Sequence, residues 1–113
     1  MNNLDLLEFS NRIEIKYIDI LQEINLEYVD NSRGQYINFN VLNINKHYRN
    51  VGFGSKILNE VCRFADSSNV RIELYPTNLF GANIKKLIKF CNKHGFIMIG
   101  DRMVYMPIKP DNC

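Results

Sequence analysis

Tyr48-Arg49-Asn50-Val51-Gly52-Phe53-Gly54-Ser55-Lys56 stands between a strand-like segment and the start of an amphipathic helix. A tight, glycine-bearing turn from strand to helix aims several backbone N–H groups at one spot, with the helix dipole behind them. The run therefore predicts a seat for a phosphate or pyrophosphate, made by the N–H groups from Asn50 to Ser55, with Arg49 or Lys56 adding charge. Gly52 and Gly54 let the backbone approach such a ligand without a Cβ in the way. By itself, the pattern R-x-x-G-x-G also fits a plain glycine-rich start to a helix. Its flanks decide.

Upstream, Gln35 to Asn45 reads as a strand with apolar residues on both parities: Ile37, Phe39 and Val41 on one, Tyr36, Leu42 and Ile44 on the other. That pattern predicts a strand with partners on both sides, near the sheet centre. Before it, Ile24, Leu26 and Tyr28 alternate with polar residues as a second strand, and Asp30 to Gly34 has the residues of a hairpin turn. Ile13, Ile15 and Tyr17 alternate with Glu14 and Lys16, which predicts a further strand, with a bend or bulge near Ile18. Leu4 to Phe9 reads as either a helical turn or an edge segment.

Downstream, Phe53, Ile57, Leu58, Val61, Cys62 and Ala65 recur at helical spacing. Val70 to Tyr75 reads as a buried strand stopped by Pro76. Ile84, Leu87, Ile88 and Cys91 form the stripe of a second helix, with Lys85, Lys86, Lys89 and Lys93 on its solvated side and Gly95 as its C-cap. Phe96 to Ile99 and Met103 to Met106 are two short strands around a turn at Gly100-Asp101. A strand–helix–strand unit from Tyr36 to Tyr75 implies a right-handed crossover and a parallel pair inside a mixed sheet.

The chain has 113 residues, 46% of them hydrophobic and 23% charged, which suits one folded domain with a modest core. A net charge of +2 fits a small phosphate-bearing ligand and is too weak to point to nucleic acid. No apolar run approaches the length of about 18 to 20 residues that a membrane span needs. Cys62, Cys91 and Cys113 are odd in number and show no C-x-x-C spacing, so the expectation is a cytoplasmic protein with reduced thiols.

Gln35 to Pro107 resembles the GNAT superfamily of acyl-CoA-dependent N-acetyltransferases. Arg49-Asn50-Val51-Gly52-Phe53-Gly54 fits that family's signature [Q/R]-x-x-G-x-[G/A] in full. Ile72-Glu73-Leu74 followed by Asn78, the pair Gly95-Phe96, and Met103-Val104-Tyr105-Met106 resemble three further landmarks in the right order. The resemblance implies a fold of the α/β (α+β) class, with a mixed, mostly antiparallel central sheet, one splayed parallel pair and flanking helices. It also implies a single domain over residues 1–113, with 1–34 a reduced N-terminal part and 35–107 the cofactor-binding core.

The implied activity is transfer of an acetyl group from acetyl-CoA to a primary amine by direct attack in a ternary complex. Arg49, Asn50, Val51, Gly52, Phe53, Gly54, Ser55 and Asn78 would then hold the cofactor, and a backbone N–H among Asn43, Ile44 and Asn45 would face the acetyl carbonyl. Glu73 stands where several relatives place a general base; the alternative is a carboxylate that faces solvent or pairs with Arg71. His47, just before the turn, is a second candidate base. Cys91 occupies the position of a tyrosine that acts as general acid in many relatives, and it also falls on the apolar stripe of its helix, as a core thiol would. Tyr105 is another candidate acid.

The short N-terminal part leaves little chain for a deep amine pocket. A protein lysine or N-terminus is therefore the expected acceptor, with a site completed by a homodimer as the other solution and a small amine still open. The rival is a module of the same fold that holds acyl-CoA or a protein partner without turnover.

Overall fold

The computed structural model describes residues 1–77 and 83–108. The chain opens with helix α1 (Asn3–Lys16), followed by a long hairpin of β1 (Leu21–Asn31) and β2 (Gly34–Ile44). A short 3-10 turn at Lys46–Tyr48 leads to helix α2 (Phe53–Ser68), strand β3 (Arg71–Leu74) and helix α3 (Ile84–Lys93). Strands β4 (Ile97–Ile99) and β5 (Arg102–Tyr105) follow. The sheet has five strands in the order β1-β2-β3-β5-β4. Among the described residues, only β2 and β3 run parallel, joined by the α2 crossover.

The strand expected over Ile13 to Tyr17 is the end of α1 instead. Leu6, Phe9 and Ile13 are the buried positions there, and their spacing is helical. Ile15, which supplied the strand-like alternation, points to solvent with 72% of its surface exposed. A capping box starts the helix: Asn2 Oδ1 accepts from the Asp5 N–H at 2.9 Å, and the Asn2 N–H donates to Asp5 Oδ2 at 3.1 Å. Phe9 stacks on Phe64 of α2 with ring centroids 4.4 Å apart, and both Lys16 and Tyr17 bind the Glu60 carboxylate. These contacts fix α1 beside α2.

The two apolar parities of β2 have a local cause. Asn25 of β1 pairs with Val41 and Leu26 with Phe39, so Asn40 is an extra residue opposite a single step of β1. This bulge puts Asn40 and Val41 on the same side, and Leu42 and Ile44 then continue on the side of Ile37 and Phe39. β2 has partners on both edges, as expected of an inner strand, and β3 is the middle strand of the five.

Helix α3 joins the same helical layer through Phe90, which approaches Gly54 of α2, and through His94 at its C-terminus. The contiguous core lies between this layer and one sheet face, taking in Ile37, Phe39, Leu42, Ile72, Leu74, Met103 and Tyr105 from the strands. Tyr36, Val41 and Val104 are buried outside that core cluster, on the opposite sheet face. Among the described residues, no helix covers that second face.

Docking of α1 through Phe9 is open to test. Phe9→Ala should lower unfolding stability by about 3 kcal/mol in urea titration, as for other buried aromatic truncations. A loss below about 1 kcal/mol, the size of an ordinary surface change, would mean that α1 is not part of the core.

Candidate functional site

The β2–β3 ladder has three rungs, Tyr36↔Arg71, Ile37↔Ile72 and Asn38↔Glu73. Beyond them β3 ends at Leu74 while β2 continues to Ile44, so the two strands part. A cavity of about 480 Å³ opens at the parting. Phe39, Leu42 and Ile44 of β2, Leu74 of β3, Leu58 of α2, and Leu87, Phe90 and Cys91 of α3 give it an apolar wall. Tyr48, Arg49, Asn50, Gly52, Gly54, Ser55 and Lys86 form its polar part. That volume is typical of a small-molecule site.

The glycine turn behaves as its residues require. Gly52 is the N-cap of α2 with φ +93°, in the left-handed region, and Asn50 shares that region at φ +64°. A glycine N-cap has no side chain to offer, and none caps this end of α2. The Lys56 N–H already donates to the Gly52 carbonyl at 3.1 Å, which leaves the N–H groups of the first turn, at Phe53, Gly54 and Ser55, without an intrahelical acceptor, and Gly54 and Ser55 line the cavity. A Cβ on Gly54 would stand 3.6 Å from the Phe90 ring and 3.8 Å from Ile44 Cδ1, taking up space in the cavity itself. Arg49 Nε donates to the Ile44 carbonyl at 2.8 Å, so this guanidinium ties the turn to the end of β2.

The residues singled out in the sequence divide into two groups. Ile44, Arg49, Asn50, Gly52, Gly54, Ser55 and Cys91 line the cavity. Val51 is exposed, and Phe53 turns its ring toward Tyr17 and Tyr48. Asn43 pairs with Glu23 of β1, and the Asn45 N–H donates to the Ile20 carbonyl at 2.8 Å. Asn45 is therefore not a free donor for a ligand. Asn78 lies outside the described residues. His47 is exposed in the 3-10 turn and does not line the cavity.

Glu73 lies on the sheet face away from the cavity, with its neighbour Leu74 facing in. It has no exposed surface, and three guanidinium groups converge on it. Arg71 Nε donates to Oε2 at 2.8 Å, Arg33 Nη2 to Oε1 at 3.4 Å, and Arg102 Nε stands 3.1 Å from Oε1 in ion-pair contact without hydrogen-bond alignment. The pairing with Arg71 foreseen as the alternative is thus realised, with two further partners. Arg71 and Arg33 also flank the Tyr36 ring, at 4.4 and 5.2 Å from its centroid.

Cys91 is almost fully buried, and burial pushes its thiol up to about 11. It therefore stays protonated at neutral pH, which suits a proton donor and not a nucleophile. Tyr105 points elsewhere: its hydroxyl donates to both oxygens of Asp66, at 2.9 and 3.2 Å, and burial raises its pKa. Asp66 sits in the last turn of α2, about 20 Å along the helix from Phe53 at 1.5 Å per residue. Tyr105 is not at the cavity.

Several cavity residues escaped the sequence reading. Lys86, assigned to a solvated face, lines the polar part, and Tyr48, Leu87 and Phe90 had no chemical signal apart from their flanking positions. A three-residue contact also appears between α2 and α3. Ser55 Oγ and His94 Nε2 are 3.2 Å apart, and His94 Nδ1 lies 3.1 Å from Asn59 Oδ1.

A mixed sheet with one parallel pair that parts over a cavity, and a bare helix N-terminus at its edge, define a GNAT-like fold. Among solved structures, Arabidopsis thaliana Naa50, a GNAT N-acetyltransferase, shares it with a TM-score of 0.57 and 24% sequence identity. The match covers 75% of this chain and 62% of that one, which was solved in complex with the bisubstrate analogue CoA-Ac-MVNAL. The chain thus spans less than two thirds of its neighbour's length. No protein-family model matches the chain, and no curated protein does. No described helix is long and apolar enough to cross a membrane.

Two measurements bear on this geometry. Glu73→Gln leaves three guanidiniums around a neutral amide and should cost about 3 kcal/mol in urea unfolding, as when one partner of a buried ion pair is removed. A change near zero would show that the carboxylate is not clamped. His94 is held below the ordinary imidazole value of 6.5, first by burial and then by Lys93. The unfolded chain then binds that proton more readily than the folded one. The His94 contribution to stability is therefore complete above the ordinary value and is lost as pH falls through and below it. The fall in urea midpoint across that window should be shallower in His94→Gln than in the native protein.

Proposed function

We propose that this chain is an acetyl-CoA-dependent N-acetyltransferase whose acceptor is a primary amine on a protein, either a lysine or an N-terminus. The observation that carries the reading is the parting of β2 and β3 at a cavity whose edge is the uncapped first turn of α2. One device offers backbone donors for a pyrophosphate, and the other offers an extended slot for a slim chain. Bound acetyl-CoA would supply a thioester open to direct attack by an amine.

The residues present fit that ligand. Phe53, Gly54 and Ser55 offer N–H groups to the pyrophosphate, with Arg49 and Lys86 adding positive charge at the same edge. The apolar wall of Leu42, Leu87 and Phe90 excludes water from the slot. Of the three backbone candidates for the acetyl carbonyl, Ile44 remains, since the Asn45 N–H is already used and Asn43 faces β1, where it pairs with Glu23. Cys91, protonated and at the cavity wall, would give a proton to a departing thiolate. Glu73 is given a structural role: its oxygens are taken by arginines, and it faces away from the cavity. Deprotonation of the amine then falls to water or to the acceptor's own surroundings. A protein acceptor agrees with the peptide portion of the analogue on the neighbouring structure.

The displacement of Glu73 also favours a second reading, a module that holds acyl-CoA without turnover. One comparison separates the two. Gly52→Asp and Gly54→Asp place carboxylates at the proposed pyrophosphate seat and should weaken coenzyme A binding in calorimetry by at least about tenfold. Host-cell proteins expressed with the native chain should carry acetyl marks that are missing with these variants. Tight binding with identical acetylation patterns supports the module, and unchanged binding overturns both readings.

A further inference from the structure

Ser55, Asn59 and His94 are separated by up to 39 residues in sequence and meet at the α2–α3 contact. Ser55 and Asn59 are one turn apart on α2, while His94 is the C-cap of α3. With Asn59 Oδ1 as acceptor, His94 Nδ1–H is the donor, and in the neutral ring Nε2 is then the acceptor 3.2 Å from Ser55 Oγ. The Phe90 ring, 4.9 Å from the imidazole in an edge-on contact, limits rotation of His94. Ser55 also lines the cavity, as does Gly54, in the uncapped first turn of α2.

This arrangement contains a hydroxyl, a base within hydrogen-bond reach of it, a third group that orients the base, and donors for an oxyanion. We propose that Ser55, His94 and Asn59 form a nucleophilic site that accepts a short acyl group from an activated ester or thioester and releases it to water. Ser55 Oγ attacks the carbonyl carbon, and its proton passes to His94 Nε2. The bond to the leaving oxygen or sulfur breaks, and that atom takes the proton from His94. Water then attacks the acyl-serine ester, giving a proton to His94, and the proton returns to Ser55 Oγ as the acid departs.

The N–H groups of Phe53, Gly54 and Ser55 are the donors at hand for the oxyanion. Leu58, Leu87 and Phe90 give the acyl chain an apolar wall. Burial and the neighbouring Lys93 both favour a neutral imidazole, the form that can act as base. The site does not depend on the acetyl-CoA reading, although a bound pyrophosphate would compete for the same N–H groups.

The test uses the full chain without coenzyme A, so its outcome is separate from that of the transferase reading. The protein is treated with a fluorophosphonate probe and digested for mass spectrometry, and p-nitrophenyl acetate hydrolysis is followed in parallel. The native chain should be labelled at Ser55. Ser55→Ala should lose the label, and His94→Gln should slow both labelling and hydrolysis by about a hundredfold. Asn59→Asp should retain most of the rate that Asn59→Ala loses, with circular dichroism confirming that each variant is folded. Absence of label on Ser55 in the folded native protein, or equal rates in native and His94→Gln chains, would reduce the three residues to a tether between helices and overturn the proposal.

Discussion

Everything at the cavity depends on how β2 and β3 are held together and where that hold stops. Three rungs join the two strands, and beside the last of them Glu73 gathers guanidinium groups from the β1–β2 turn, from β3 itself and from β5. A lone buried carboxylate would be costly, and so would three crowded arginines; each is acceptable only with the other present. The cluster therefore locks three separate segments on the sheet face that no described helix covers. Once past it, nothing on β3 continues the ladder, and the sheet opens on the helical side.

The bulge at Asn40 complements that opening. It shifts the side-chain alternation of β2 so that Leu42 and Ile44 turn toward α2 and α3 after the strands have parted. Without the extra residue those two side chains would lie on the uncovered face, and the cavity would lose part of its apolar wall. Helix α3 closes the other side through Leu87, Phe90 and Cys91. The site is thus made by one strand irregularity, one strand ending and two helices.

Much of this was legible in the chain because it is local. Gly52 and Gly54, the helical stripe from Phe53 to Ala65, and the strand over Ile72 to Leu74 carry their own periodicity and turn chemistry, and the structure has each of them. Ile13 to Tyr17 misled because Ile15 is an exposed apolar residue that mimics alternation, while the decisive signals were the Asn2–Asp5 box and the spacing of Leu6, Phe9 and Ile13. Glu73 was visible as a carboxylate in an apolar strand, but its partners Arg33 and Arg102 come from distant segments and no pattern within the strand announces them. The same holds for Ser55 and His94, which meet only after α2 and α3 pack.

The parted strands also leave an edge in an unusual place. Residues 40–44 of β2 have β1 on one side and, among the described residues, no ladder partner from β3 on the other, so backbone groups are presented inside the sheet instead of at its rim. Sheet rims invite pairing with any extended chain, which is why proteins shield them. Here Leu74 on one flank and Leu87 and Phe90 on the other narrow the approach to the width of the slot. An edge flanked in this way suits a slim, unbranched chain better than a polypeptide, whose side chains would have to pass those three residues.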